Sequence, residues 1–164
     1  MKKRLLSIVM LASTAFTAWN WSGDDRTINA SNFTLPTLEG TEQSLYEERG
    51  KVVILTFWTS WCRPSESEMP HLQNVYDKFK DDIEILAVNF TSKDKVEDVK
   101  RFVREYELTF PILLDEKGEI GSMFRAMSLP TTVIIDKAGK VQHELMGPLD
   151  EETLLEHITP LINN

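Results

Sequence analysis

The stretch KVVILTFWTSWCRPSESEMP, residues 51–70, decides the fold. Its first eight residues form a near-continuous apolar run, β-branched at the start, which suits a central strand buried on both faces. Met69, Leu72, Val75, Tyr76 and Phe79 then recur at three- and four-residue steps and predict an amphipathic helix. Between the two lies Cys62, the only cysteine of the chain. In open α/β sheets, sites form beyond the carboxyl ends of strands. Cys62 stands four residues past Trp58, where the helix begins.

The flanking sequence continues the pattern. Residues 33–45 alternate around a Glu39-Gly40 turn and read as a β-hairpin. Residues 84–90 form a second buried strand, and Val96, Val99, Phe102, Val103 and Tyr106 mark a second amphipathic helix. Residues 110–115 are short and extended; residues 119–126 read as a weaker helix with Gly121 inside it. Residues 131–136 and 141–146 flank the turn KAGK as an antiparallel pair. Leu154, Leu155, Ile158 and Leu161 line a last helix, and the acids at 150–152 suit its N-terminus. This order predicts an α/β fold: a central mixed sheet, right-handed crossovers and helices on both faces.

The bulk numbers place one globular domain and a short appendage in 164 residues, 41% apolar and 27% charged. The formal net charge is −8, and three of the 18 bases but none of the 26 acids lie in the first 21 residues. No basic stripe exists to neutralise phosphates, so nucleic acid is not an expected partner. Lys2, Lys3 and Arg4 precede an apolar run over residues 5–18, with Ser13 and Ala15 as a small-x-small pair. Trp19 and Trp21 follow where interfacial aromatics would anchor a helix. Residues 1–21 therefore read as a signal peptide or N-terminal membrane anchor, residues 22–31 as a polar linker and residues 32–164 as the domain. The expected location is extracytoplasmic. No cysteine follows the apolar run to carry a lipid, and a single cysteine leaves the domain without an internal disulfide.

The chemistry centres on Cys62. A thiol at a helix N-terminus meets free backbone N–H groups and the positive end of the dipole, which favour the thiolate. Arg63 adds positive charge, and Pro64 fits the first turn, where its missing N–H costs nothing. Trp58 and Trp61 are expected to bracket the approach as apolar walls. Ser65 has two readings. Ser65-x-x-Glu68 matches a capping box; alternatively, the Ser65 hydroxyl donates to the Cys62 thiolate one turn away. His71, His143 and His157 are scattered, so no metal set and no cofactor are expected.

The pattern Trp61-Cys62-x-Pro64 after an apolar strand resembles the thioredoxin family, and residues 32–162 are similar to it along nearly their whole length. Three segments carry the resemblance: FWTSWC at 57–62, the insert TSKDKVEDVKRFVREYELTFPILLD at 91–115, and SLPTTVIID at 128–136. They look most like the membrane-anchored, extracytoplasmic branch that serves thiol–disulfide exchange in bacteria, including cytochrome c maturation and spore-related thiol reduction. The resemblance implies a three-layer sandwich with an N-terminal hairpin and a central helix–strand insert. It also implies a cis Leu129–Pro130 bond facing Cys62, whose backbone edge would pair with an extended substrate. The implied partners are protein disulfide or thiol clients and a thiol reductant or a transmembrane protein that delivers reductant. The implied state is a monomer.

The chain departs from the family where the second cysteine of C-x-x-C would stand, because that residue is Ser65. Ser65 cannot resolve a mixed disulfide, so the expected activity is monothiol exchange completed by an external thiol. Two positions where relatives carry an acid are also altered: Thr56, six residues before Cys62, and the segment Asn89-Phe90-Thr91-Ser92. Three alternatives stand beside this reading. One is a thiol peroxidase, with Thr59 three residues before Cys62 but Leu55 where that pattern asks for proline. Another is a redox-idle module that holds a client strand along Leu129 and Pro130. The third is a dithiol enzyme in which serine was put in place of cysteine at position 65 as a trap.

Overall fold

The computed structural model describes residues 28–164; the targeting segment and residues 22–27 of the linker lie outside the described residues. Strand β3 (Val52–Trp58) is buried along its whole length. It can be so only in the middle of a sheet covered on both faces. Two strands flank it: β4 (Ile83–Asn89), parallel, with Val52 opposite Ile83 and Trp58 opposite Asn89, and β6 (Thr131–Ile135), antiparallel, with Leu55 opposite Val133. β5 (Ile112–Leu114) extends the sheet parallel to β4, and β7 (Val141–Met146) extends it antiparallel to β6. Among the described residues the order is β5-β4-β3-β6-β7, with a separate hairpin of β1 (Thr34–Pro36) and β2 (Glu42–Ser44). The mixed sheet and the hairpin are as the sequence predicts.

The two-residue period of β3 separates two cores. Val52, Ile54 and Trp58 face a cluster with Met69, Leu72 and Val75 of helix α1 (Arg63–Phe79), Val99 and Phe102 of α2 (Val96–Glu105), and Leu154 and Ile158 of α4 (Glu151–Ile162). Val53, Leu55 and Phe57 face the other side, against Phe33, Leu45 and Ile120 of the short helix α3 (Glu119–Met123). Helix α4 starts as its acids suggest: the Asp150 side chain caps it, accepting from the Thr153 N–H at 2.9 Å.

Two features were not visible in the sequence. Residues 28–30, read above as the end of a linker, pair with the turn before β7: Asn29 bridges Lys140, and the Ala30 N–H donates to the Gly139 carbonyl at 2.9 Å. The rings of His143 and His157 meet with centroids 4.4 Å apart, between β7 and α4. Burial, and then the neighbouring His157, hold the His143 imidazole below its ordinary range.

Helix α3 is pressed against the sheet at Gly121. A β-carbon there would collide with the ring of Phe90, which is buried and packs on Phe57 with centroids 5.9 Å apart. Alanine would gain at most about 1 kcal/mol of helix propensity. Overpacking a ring that cannot move away costs about 1–3 kcal/mol. Gly121→Ala is therefore expected to lower the urea midpoint; an unchanged or raised midpoint would show that the Phe90 ring yields.

Candidate active site

Helix α1 begins where the sequence forces it to. Pro64 takes a place in the first turn, where its missing N–H costs no hydrogen bond, and Cys62 takes the N-cap position with φ −88° and ψ 106°. Its carbonyl accepts from the Glu66 N–H at 2.9 Å, and its own N–H donates to the Thr59 carbonyl at 3.3 Å across a tight turn. The half-buried thiol donates to the Leu129 carbonyl over 3.6 Å. The Leu129–Pro130 bond is cis, and the Pro130 carbonyl accepts from the Gly147 N–H at 2.9 Å, which ties this edge to the end of β7. The structure thus brings Cys62 and the Leu129–Pro130 pair together from two separate parts of the chain.

The two tryptophans do different things, contrary to the expectation of paired walls. Trp58 points into the core, is fully buried and packs on Phe102 with ring centroids 5.0 Å apart. No substrate can touch it. The reason is strand parity: position 58 lies on the face of β3 that α1 and α2 cover. Trp61 is 62% exposed, yet its indole N–H donates to the Lys93 carbonyl at 2.9 Å. It is an apolar surface beside the thiol whose orientation is already fixed. Pro64 is also exposed.

Beneath the helix start lies a group that the sequence reading misassigned. With Cys62 at the N-cap, Ser65 is the third helical residue and Glu68 falls on the inner face, so the pair is not a capping box. The Glu68 carboxylate accepts from Thr56 Oγ1 at 3.3 Å, from Thr132 Oγ1 at 3.2 Å and from the Leu149 N–H at 3.3 Å. Position 56 therefore lacks an acid of its own but is served by one from α1. The signal was present: Ser65, Glu68, Met69 and Leu72 share one helical face at i, i+3, i+4 and i+7. Ser65 is fully buried, and its Oγ has no hydrogen-bond partner among the described residues; nor does Oγ1 of buried Thr59.

Burial pushes the Glu68 carboxyl up to about 7, against the lowering effect of its three hydrogen bonds. Among the described residues no group of three or more His, Cys, Asp or Glu side chains is placed to hold a metal. A cavity of about 370 Å³ is lined by residues such as Ile28, Phe124 and Val141 and by none of the groups around Cys62. A second cavity, about 180 Å³, is lined by Ser60 and Glu66 on either side of Cys62 in the chain, together with Phe102 and Tyr106.

The raised Glu68 group makes stability depend on pH. Between its ordinary value of 4.5 and about 7, the folded protein keeps a proton that the unfolded chain has lost, so stability falls as pH rises through that window. The full loss is on the order of 3 kcal/mol. In Glu68→Gln this fall should vanish, and the difference in urea midpoint between the two proteins should change steadily from about pH 5 to about pH 8. A constant difference across that range would refute the assignment.

The comparisons with known proteins agree with this fold. The AhpC/TSA family model matches residues 28–144. The chain is 37% identical to the thioredoxin-like protein YneN of Bacillus subtilis (strain 168) over 163 residues, 94% of this chain and 95% of that protein. It is 41% identical over 130 residues to the thiol-disulfide oxidoreductase ResA of Bacillus thuringiensis subsp. konkukian, covering 79% of this chain and 74% of the relative. Among solved structures, a putative thiol:disulfide interchange protein DsbE from Chlorobium tepidum superposes with a TM-score of 0.77 at 30% identity, over 84% of this chain and 98% of that one.

Proposed function

The chain belongs to the AhpC/TSA family, in its thioredoxin-like form, and from that premise we propose that it is an extracytoplasmic thiol–disulfide oxidoreductase working through Cys62 alone. The observation that carries this reading is the Cys62 sulfur at a helix N-cap, 3.6 Å from the Leu129 carbonyl, in a chain with no second cysteine. The Cys62 thiolate attacks one sulfur of a client disulfide. A bond forms between Cys62 and that sulfur, the client S–S bond breaks, and the other client sulfur leaves as a thiolate that takes up a proton. An external thiolate then attacks the mixed disulfide and frees Cys62. When that thiolate comes from a separate molecule, its electrons reduce the client. When it comes from the client itself, the result is isomerisation without net redox change.

Each neighbouring residue has a part in this scheme. Ser65 lies one turn beyond Cys62, and its buried hydroxyl is free to donate to the thiolate once it forms. Glu68, one turn further on the same face, holds a proton near neutral pH and buffers charge as thiolates appear and leave. Client backbone lies along the Leu129 and Pro130 edge, and the fixed Trp61 indole offers it apolar surface. Protein thiols and disulfides are the proposed clients. The basic and apolar residues of segment 1–21 support export, by cleavage or as an anchor.

A second reading has one observation in its favour. The buried Thr59 hydroxyl, without a partner three residues before Cys62, suits a peroxide-reducing thiol. Leu55, buried where that pattern asks for proline, opposes it.

Incubation of the protein with a peptide disulfide, followed by mass spectrometry, tests the main reading. A mixed disulfide at Cys62 is expected to accumulate and to disappear on adding an excess of a small thiol. In Ser65→Cys, reduction of the same disulfide should rise at least about tenfold over the parent, because a resolving thiol is now internal. The reading fails if no mixed disulfide forms and Cys62 alkylation follows the pH profile of a free thiol. Rapid loss of the thiol to dilute peroxide instead would favour the second reading.

A further inference from the structure

The turn that carries Cys62 is held from outside. Residues 59–62 belong to neither β3 nor α1. The Cys62 carbonyl accepts the first helical bond at 2.9 Å, but the two bonds that Cys62 donates are long, 3.3 Å from its N–H to Thr59 and 3.6 Å from its sulfur to Leu129. Such bonds are weak and do not fix the position of the sulfur. The shortest bonds of the turn belong instead to Ser60, and both go to one carboxylate. The Ser60 N–H donates to Asp94 Oδ2 at 2.6 Å, and the Ser60 hydroxyl donates to Asp94 Oδ1 at 2.7 Å.

Asp94 is itself firmly placed. It ends a 3₁₀ turn (Thr91–Lys93) that follows β4. Its Oδ2 also accepts from Asn89 Nδ2 at 2.9 Å, and its Oδ1 from the Lys95 N–H at 2.9 Å. Asn89 is fully buried and is the last residue of β4, opposite Trp58. The Trp61 indole bonds to the Lys93 carbonyl, one residue before Asp94. Both residues that precede Cys62 therefore hang from the 93–94 segment, by charge-assisted bonds in the case of Ser60. Four donors converge on the two carboxylate oxygens, so the place of Asp94 is fixed from both sides.

We infer that Asp94 is a positioning residue: by gripping Ser60 at two points, it sets where the Cys62 sulfur stands relative to the Leu129 carbonyl edge. The inference rests on the thiol–disulfide reading above, because the relation of sulfur to edge matters only for a client that docks on both. This predicts a separation between two kinds of substrate. A small aromatic disulfide needs only the sulfur. A peptide disulfide needs sulfur and edge in register.

The test compares the parent, Asp94→Ala, Ser60→Ala and the double variant. The readout is the limiting rate at high pH for attack on dithiobis(nitrobenzoate) and on a peptide disulfide, with the urea midpoint of each protein measured in parallel. In Asp94→Ala the peptide rate should fall about tenfold while the small-disulfide rate changes by no more than about twofold. Ser60→Ala, which keeps the N–H bond, should show about a threefold fall on the peptide only, and the double variant should lose less than the product of the two. Equal falls on both substrates, or no fall on the peptide, overturn the inference even if the midpoint drops. If Asp94→Ala does not fold, Ser60→Ala and its substrate ratio decide the matter. A parent that reacts with neither disulfide defeats the thiol–disulfide reading itself, a separate outcome.

Discussion

β3 is withdrawn from water on both faces over all seven of its residues, and the site inherits its geometry from that constraint. A strand so buried needs a pairing neighbour on each edge and a layer on each face. β4 and β6 supply the edges, and their pairing with β3 runs out at one level: Trp58 opposite Asn89, Phe57 opposite Thr131. Three chain segments leave or enter the sheet there, and each brings one participant. The segment after β3 brings Cys62, the segment after β4 brings Asp94, and the segment before β6 brings Leu129 and Pro130. Their meeting is a consequence of register. A one-residue slip of β3 would turn Thr56 and Trp58 to the wrong face and move the cysteine off the helix cap.

The same layering explains why a carboxyl is tolerated inside the α1-facing core. Thr56 and Thr132 lie side by side on β3 and β6, on the face that α1 covers, and their hydroxyls are 3.3 Å apart. Two hydroxyls there require an acceptor, and Glu68 descends from the helix to supply it. The bonds that hold it are all 3.2 Å or longer. They do not offset the loss of water, which is why the group stays protonated to about neutral pH. A hydrophobic residue there would leave the Thr132 hydroxyl and the Leu149 N–H without the acceptor that Glu68 supplies.

Sequence patterning makes the fold legible because apolar periodicity reports burial directly. The hairpin, the runs that became β3 and β4 and the stripes of α1, α2 and α4 all follow from it. The misreadings have one origin: a pattern compatible with two placements. Ser65-x-x-Glu68 serves equally as a capping box and as part of a buried face, and only the helix start distinguishes them. Cys62 and Pro64 fix that start. In a strand apolar at every position, alternation is silent about direction, so Trp58 gave no sign of pointing away from the thiol. Asp94 was invisible for another reason. Its partners are 34 residues away in Ser60 and five away in Asn89, and no local pattern encodes such a meeting. The His143–His157 contact is of the same kind.

On the proposed reading, serine at position 65 affects one step only, the resolution of the mixed disulfide. On that reading, the helix cap, the edge at Leu129, the fixed indole of Trp61 and the acid at Glu68 would all serve the approach and attack of a thiolate. None of them supplies a second sulfur. On the proposed reading, a client once bound cannot be expelled from within, so the lifetime of the mixed disulfide is set by whichever external thiol reaches it. Geometry governs that access. The sulfur is half-buried against a carbonyl edge, whereas Trp61 and the 91% exposed Met127 lie outward on either side in the chain. A thiol that is part of the docked client is already within the edge and reacts at high effective concentration, while a solution thiol must enter past client and indole. On the proposed reading the arrangement would therefore favour rearrangement of disulfides within a client over their net reduction, without any residue dedicated to that choice.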